Sequence, residues 1–228
     1  MLKRIAVCVL AAMAAGCGED HGVFYATAPT QAAVVGSGRM VSESRPVQGF
    51  HNVAVTGGVQ ALVTFTQDDT LEITAEDNIL PLVEAMVSDG RLTLGWRSGS
   101  GSVSSHGVVC RVGARGLRGV SATGGARIEV EGIDGGDFAI DLSGASSFAG
   151  SGSVERLRMD LSGASRVDAA GLTARFVTAR LTGASVARLR VVDALVVTAT
   201  GASLLEFYGD PMVQADTSGA SFVRRIGR

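Results

Sequence analysis

A short cluster, Ser or Thr followed by Gly and then by Gly or Ala, occurs seven times in the 228-residue chain. From Gly124 onward, the shared glycines are 20, 19, 20, 18 and 18 residues apart. A nearly constant period of this length is typical of proteins in which one supersecondary unit is stacked on itself. The repeat therefore constrains the fold more than any other feature of the sequence. The clusters are Thr56-Gly57-Gly58, Thr123-Gly124-Gly125, Ser143-Gly144-Ala145, Ser162-Gly163-Ala164, Thr182-Gly183-Ala184, Thr200-Gly201-Ala202 and Ser218-Gly219-Ala220.

Apolar residues alternate on both sides of each shared glycine, and they predict strands. The positions four and two before it are mostly apolar, and so are the positions four and six after it. Such alternation indicates a strand with one buried face. We predict an all-β, single-domain parallel β-solenoid with about 18–20 residues per coil. Equivalent side chains, such as Leu142, Leu161 and Leu181, should then lie directly over one another.

The corner clusters have a structural explanation. Glycine adopts a positive φ and lets another backbone approach closely. A serine follows most of the clusters, and its hydroxyl can bond to backbone groups at the corner. A nucleophilic serine would need a nearby base, but His21, His51 and His106 all lie outside the repeats. We therefore expect a stacked serine ladder without catalysis, formed by Ser146, Ser165, Ser185, Ser203 and Ser221.

The repeat is interrupted between the first cluster and Gly124, and this interruption predicts an irregular N-terminal cap. Residues 71–75 and 92–96 have the pattern of strands. Residues 78–87 have the pattern of one short helix, and Asp89-Gly90 is typical of a turn. A cap of this kind would cover the strand edges at the end of a solenoid.

The N-terminus has the pattern of a targeting segment. Lys3 and Arg4 precede an apolar run over residues 5–15, and the small residues before Cys17 resemble a bacterial lipobox. We predict a lipoprotein signal peptide over residues 1–17, cleaved before Cys17, whose thiol becomes acylated. The alternative is an ordinary secretory signal with an incidental cysteine. We assign residues 18–45 to a flexible tether and 46–228 to the solenoid domain, and Gly18 favours the outer membrane over the inner one.

Charge and cysteine content exclude some classes of protein. The net charge is −2, so the chain lacks the excess of positive charge that is typical of nucleic-acid-binding proteins. Once Cys8 leaves with the signal and Cys17 is acylated, Cys110 has no partner for an internal disulfide. Because Cys110 alternates with valines, we expect it to be a small buried apolar side chain.

The strongest candidate for chemistry is a column three residues before the shared glycine, occupied by Asp141, Asp160 and Arg180. All three should point outward on adjacent coils. Neighbouring carboxylates repel, and they can share a cation or raise one pKa. With the arginine, they resemble the surfaces on which β-helical polysaccharide lyases bind calcium and abstract a proton. The alternative is a solvated face, because stacked repeats align any surface residue into a column.

Several segments together resemble the head GIN domain family of putative autotransporter adhesins. They are Gly49-Phe50, residues 53–58, 75–78 and 89–92, followed by the Ser-Gly-Ala-Ser corners. The similarity covers residues 46–223. It implies a fold like the right-handed β-helices and a bacterial envelope or secreted protein. The family offers no established catalytic residues to transfer.

These observations predict a non-enzymatic, lipid-anchored envelope protein whose solenoid serves binding or adhesion. We predict no catalytic residue, cofactor or metal site. Its partners would be the membrane, through the lipid on Cys17, and a cell-surface glycan or protein. One alternative is a carbohydrate-active enzyme that uses Asp141, Asp160 and Arg180. Another is an accessory or sensory lipoprotein that binds a protein partner.

Overall fold

The computed structural model describes residues 33–227, so the predicted signal peptide and Cys17 lie outside the described residues. The regular secondary structure of the described chain is β-strand, apart from one 3-10 turn at Leu80–Leu82. Its strands are β1 (Val34–Val35), β2 (Met40–Ser44), β3 (Asn52–Thr56), β4 (Gln60–Phe65), β5 (Thr70–Glu76), β6 (Val83–Ser88), β7 (Arg91–Trp96), β8 (Val103–Ser104), β9 (Val109–Ala114), β10 (Gly119–Thr123), β11 (Arg127–Leu142), β12 (Ser147–Leu161), β13 (Arg166–Leu181), β14 (Val186–Ala199), β15 (Leu204–Tyr208), β16 (Met212–Thr217) and β17 (Phe222–Gly227).

The strands wind into a parallel β-solenoid of about five turns, as the repeat predicts. Strands β11 to β14 are 14–16 residues long, and each bends and pairs in parallel with the next along the stack. Leu142 is in register with Leu161, which is in register with Leu181. All three side chains are buried. The predicted interior column is therefore confirmed.

Differences in coil length are absorbed in one irregular stretch of each coil, which between β13 and β14 contains two register shifts, after Ala169 and after Ala174. The pairing of β13 with β14 passes from Ala169 opposite Leu189 directly to Thr173 opposite Arg190, so β13 makes a longer bend there. Register shifts occur at the same bend between β11 and β12 and between β12 and β13. The stretches that lead into the corners stay in register without interruption. The coil can thus vary from 18 to 20 residues without displacing the core columns.

The corners form as the sequence predicts. Every shared glycine has a positive φ, from 67° at Gly57 to 83° at Gly201. A Cβ on Gly183 would lie 2.5 Å from the carbonyl oxygen of Gly163 on the preceding coil. Four serines of the ladder are buried, and the hydroxyl of each donates to the corner carbonyl three residues earlier, whereas Ser221 on the last coil is half-buried and accepts from the backbone N–H of Ser203 at 3.3 Å. The distances to the corner carbonyls are 2.9 Å for Ser146, 2.7 Å for Ser165, 2.9 Å for Ser185 and 2.9 Å for Ser203.

Antiparallel strands close the N-terminal end of the solenoid. On one side β5 pairs antiparallel with β9 and β2 with β5, and on the other β6 pairs antiparallel with β7. The prediction of a helix over residues 78–87 is wrong, because β6 occupies the second half of that range and only a 3-10 turn precedes it. Its apolar residues Val83, Ala85 and Val87 also alternate with period two, and the turn at Asp89-Gly90 folds them against β7.

Residues 33–45 belong to the folded part of the chain, although the sequence predicts a tether there. Strand β2 pairs with β5, with Val41 opposite Ala75. The guanidinium of Arg45 donates to the carbonyls of Val83 at 2.6 Å and Leu80 at 3.1 Å. An edge strand is held mainly through its backbone, so its sequence carries little apolar periodicity.

The core is one continuous apolar cluster that runs from the cap through the coils. Cys110 lies within it, fully buried as expected, and burial raises the pKa of its thiol to about 12. At the C-terminal end, all six residues of β16 are exposed, and Met212 and Phe222 are largely open to solvent. Within residues 33–227, no helix is long and apolar enough to cross a membrane.

Candidate functional site

One outer face of the solenoid carries the side chains predicted to be functional. It consists of the outward-pointing residues of 137–142, 156–161, 176–181, 194–199 and 212–217, and we call it the ladder face. Its strand segments are parallel and in register over five coils. In-register parallel strands lie about 4.8 Å apart, so each column of side chains forms a straight row along the solenoid axis.

The predicted column exists on this face. Asp141 is opposite Asp160, and Asp160 is opposite Arg180. Asp160 is held by Arg158 on its own strand, with 2.8 Å between Nη2 and Oδ2. Partial burial raises the pKa of Asp141, and repulsion from Asp160 acts in the same direction.

The surroundings of Asp141 favour a binding surface over a catalytic centre. The hollow beside its carboxyl group measures only about 30 Å³, which is too small to enclose a sugar ring. Asp160 is already engaged by the guanidinium of Arg158, which occupies one of its carboxylate oxygens. In residues 33–227, no three His, Cys, Asp or Glu side chains are grouped as a metal site requires.

A larger cleft opens on the same face beside that column. It measures about 410 Å³ and spans the segments of three coils, and we call it the rung cleft. The exposed apolar side chain in it is Phe176, which is 39% exposed, whereas Phe138 and Leu157 at the floor of the cleft are core residues. The guanidinium of Arg175 lies 5.4 Å from the centre of the Phe176 ring. This cation–π contact restricts the motion of the aromatic ring.

Three arginines contribute the charge of the rung cleft. The side chain of Arg156 donates to Asp137 at 2.6 Å, and Arg158 is bound to Asp160. Arg118 forms no ion pair with any residue in the described part of the chain. A neighbouring hollow of about 750 Å³ shares Arg118, Asp137 and Arg156 with the cleft and adds Arg115.

The residues of the rung cleft are not among those predicted from the sequence. The same alignment on the shared glycine places Arg158 and Thr178 in one outward column and Arg156 and Phe176 in the next. These columns lie five and seven positions before the glycine. The sequence pattern that marks them therefore begins only two residues before Asp160. What the alignment lacked was Arg118, which precedes the first long strand and belongs to the end of the cap.

A second cleft, of about 480 Å³, lies at the cap near Asp69. The carboxylate of Asp69 accepts hydrogen bonds from the backbone N–H groups of Gly49 at 2.8 Å and Arg115 at 3.1 Å. These bonds hold two connecting segments in place. We therefore assign Asp69 a structural role.

The cap also contains a buried carboxylate, Glu76. It accepts hydrogen bonds from the backbone N–H groups of Gly38 at 3.1 Å and His106 at 3.2 Å, and it lies 2.7 Å from the His106 ring nitrogen Nδ1. The hydrogen bond with the His106 side chain lowers the pKa of Glu76, although burial opposes the shift. Glu76 thus ties the first described segment to the loop before β9.

We expect Glu76→Gln to destabilise the protein at pH 7, because its amide would place a donor against two backbone N–H groups. A carboxylate with a lowered folded pKa stabilises the fold above its ordinary pKa, and this contribution is lost as the pH falls through the lowered value. The difference in the free energy of unfolding between the wild type and the variant should therefore shrink at pH values below the ordinary carboxyl pKa. Urea unfolding at pH 7 and pH 3 measures it. The control is Glu84→Gln, on the exposed side of β6, and an equal loss in both variants would contradict the role of Glu76.

The model of the family described as putative autotransporter adhesin, head GIN domain, matches residues 49–211. No protein of curated function matches the chain significantly. Among solved structures, a putative adhesin from Bacteroides fragilis has a TM-score of 0.70 at 15% identity, covering 85% of this chain and all of its own.

Two structures from Parabacteroides distasonis are also similar to the chain. One, a putative lipid binding protein, has a TM-score of 0.55 at 12% identity. The other, a putative adhesin, has a TM-score of 0.54 at 18% identity. Each likeness covers 86% of this chain and all of the other chain. At these identities the similarity supports the fold alone.

Proposed function

The chain belongs to the head GIN domain family of putative autotransporter adhesins, and from this we propose that it is a lipid-anchored bacterial envelope protein that attaches to other surfaces through its ladder face. The solenoid is the attachment scaffold and carries out no catalysis. The observation that carries the proposal is the parallel, in-register array of outward side chains over five coils.

The composition of the ladder face supports attachment. Phe176, Val196 and Met212 are 39%, 42% and 78% exposed on three neighbouring coils. Exposed apolar groups bordered by polar residues mark interaction surfaces. Arg156, Arg158 and Arg180 supply the charged border. A rigid face of this kind can contact an extended partner without losing conformational entropy of its own.

Attachment can be measured with beads that carry the purified protein, counted on bacterial cells and on glycan- and protein-coated surfaces. The double variant Thr178→Glu/Val196→Glu puts two carboxylates in the middle of the ladder face, because these residues are in register. We expect it to reduce bead attachment at least tenfold. The matched control is Ser147→Glu/Val186→Glu, with the same charge change on a different outer face. Equal attachment of the two variants would contradict the ladder face as the contact surface.

The lipid anchor rests on the lipobox-like sequence before Cys17. Several acyl chains would make the anchoring stable, whereas a single chain binds a membrane only marginally. We expect Cys17→Ser to abolish incorporation of a palmitate analogue and to release the protein from the membrane fraction. The control is Cys110→Ser, at a buried position within the fold, which should keep its label. Undiminished labelling of Cys17→Ser would contradict the anchor.

The polysaccharide-lyase alternative makes a different prediction. It requires turnover of acidic glycans that disappears in Asp141→Asn or Asp160→Asn. The ion pair of Asp160 with Arg158 and the small hollow beside Asp141 favour attachment instead. Release of unsaturated sugars by the wild-type protein, and not by these variants, would replace the proposed function with catalysis.

A further inference from the structure

The rung cleft and the hollow next to it are more basic than the chain as a whole. Their linings contain four arginines, Arg115, Arg118, Arg156 and Arg158, against two aspartates, Asp134 and Asp137. The whole chain has a net charge of −2. A local excess of positive charge on an acidic protein attracts an anionic ligand to that place.

The three arginines of the rung cleft can bind oxyanions. Asp137 orients the guanidinium of Arg156, and Asp160 orients that of Arg158. Arg118 remains without an ion pair among the described residues. A guanidinium can donate two parallel hydrogen bonds to a carboxylate or a sulfate. The cleft thus offers one free guanidinium beside two that are already positioned.

The rung cleft also has features that a simple anion would not use. The half-exposed ring of Phe176, fixed by Arg175, forms an apolar wall against which the C–H groups of a sugar can pack. The carboxylate of Asp137 is 69% exposed and can accept hydrogen bonds from hydroxyl groups. The volume of about 410 Å³ lies within the range of about 300–1,000 Å³ typical of small-molecule sites.

From these observations we propose that the rung cleft binds an acidic glycan, a sugar chain that carries carboxylate or sulfate groups. Arg118 and Arg156 bind the acidic group, Asp137 accepts from hydroxyls, and Phe176 packs against a sugar ring. The neighbouring hollow shares Arg118 and Arg156, so the chain continues across it. The inference rests on the proposed attachment function, because it names the ligand class of the same face.

A phosphate group fits the rung cleft less well. It has no sugar hydroxyls to donate to Asp137 and no apolar ring face to pack against Phe176. An acidic sugar combines an anionic group, several hydroxyls and an apolar ring face in one ligand. It therefore matches all the groups that line the cleft, whereas phosphate matches only the arginines.

Calorimetric titration of the full-length protein in detergent tests the proposal. The probes are an oligogalacturonate, which carries carboxylates, a heparin oligosaccharide, which carries sulfates, a neutral maltooligosaccharide, inorganic phosphate and phosphatidylglycerol vesicles. We expect one or both acidic oligosaccharides to bind, with weaker binding at high salt. Arg118→Gln and Phe176→Ser should each weaken binding about tenfold or more, whereas Arg166→Gln, at an exposed arginine outside the ladder face, should change it less than twofold.

Each outcome has a defined meaning. Galacturonate binding without heparin binding assigns the carboxylate as the recognised group, and the reverse result assigns the sulfate. Absence of binding to both acidic sugars, unchanged binding in Arg118→Gln, or tighter binding of phosphate or vesicles overturns the inference. If beads with Arg118→Gln still attach as the wild type does, the inference fails and the proposed function stands. If wild-type beads attach to no surface, the proposed function itself fails.

Discussion

Gly183→Ala is expected to lower the free energy of unfolding by about 2–4 kcal/mol, because alanine meets two penalties at this corner. Gly183 has a φ of 78°, which an L-residue with a Cβ adopts only with strain. In addition, the new Cβ would lie 2.5 Å from the carbonyl oxygen of Gly163. That oxygen accepts from the N–H of Ala184 at 2.8 Å, so it cannot move away without breaking a bond between coils.

Two control glycines separate these penalties. Gly125 has a φ of 89° but open space around it, so Gly125→Ala should show only the backbone strain, about 1–2 kcal/mol. Gly135 is exposed, with open space and no positive φ, and Gly135→Ala should change stability by less than about 1 kcal/mol. Urea unfolding followed by circular dichroism gives all three values. If Gly183→Ala were no worse than Gly125→Ala, the close stacking of the corners would be wrong.

Insertion of one alanine between Arg158 and Met159 is expected to destroy the fold. A shift by one residue moves each following side chain to the other side of the strand. Met159 and Leu161, which are 1% and 2% exposed, would turn outward, and Asp160 would turn into the core. Loss of two apolar side chains and burial of a charge would cost at least about 5 kcal/mol. That is comparable to the whole stability of a typical domain.

The same insertion is expected to be tolerated between Ala170 and Gly171. This bend already differs in length between neighbouring coils, because β13 makes a longer connection there than β14. We expect a loss of less than about 2 kcal/mol, since loop length affects stability only weakly. The yield of folded protein and its urea midpoint compare the two insertions. Equal tolerance, or equal damage, would contradict the assignment of this bend as the place where coil length varies.

The sequence was sufficient to predict the solenoid because its signals recur in every coil. Glycine at the corner, apolar residues at fixed distances from it and a serine after the small residue are each repeated. Agreement among repeats compensates for the weak signal of any single strand. For this reason the register of Leu142, Leu161 and Leu181 could be predicted before the structure was known.

The cap could not be predicted in the same way because it has no repeat. Residues 78–87 contain apolar side chains at spacings that suit both a helix and a strand, and pairing with β7 decides between them. Strand β2 is held by its backbone and by Arg45, neither of which leaves an apolar pattern. The candidate site shows the same limit. Asp141, Asp160 and Arg180 followed from the alignment, but the rung cleft also depends on Arg118 at the edge of the cap.

The central claim is that equivalent residues of successive coils lie side by side on the ladder face. Disulfide formation tests it directly, because a bridge requires Cα atoms about 4.4–6.8 Å apart. The pair Asp160→Cys/Arg180→Cys is in register, whereas Asp160→Cys/Thr178→Cys is displaced by two residues along the strand. We predict that mild oxidation cross-links the first pair completely and the second pair hardly at all, as measured by the mass of peptides from a protease digest. Cross-linking of the displaced pair, or of neither pair, would contradict the stacked arrangement on which the proposed binding face depends.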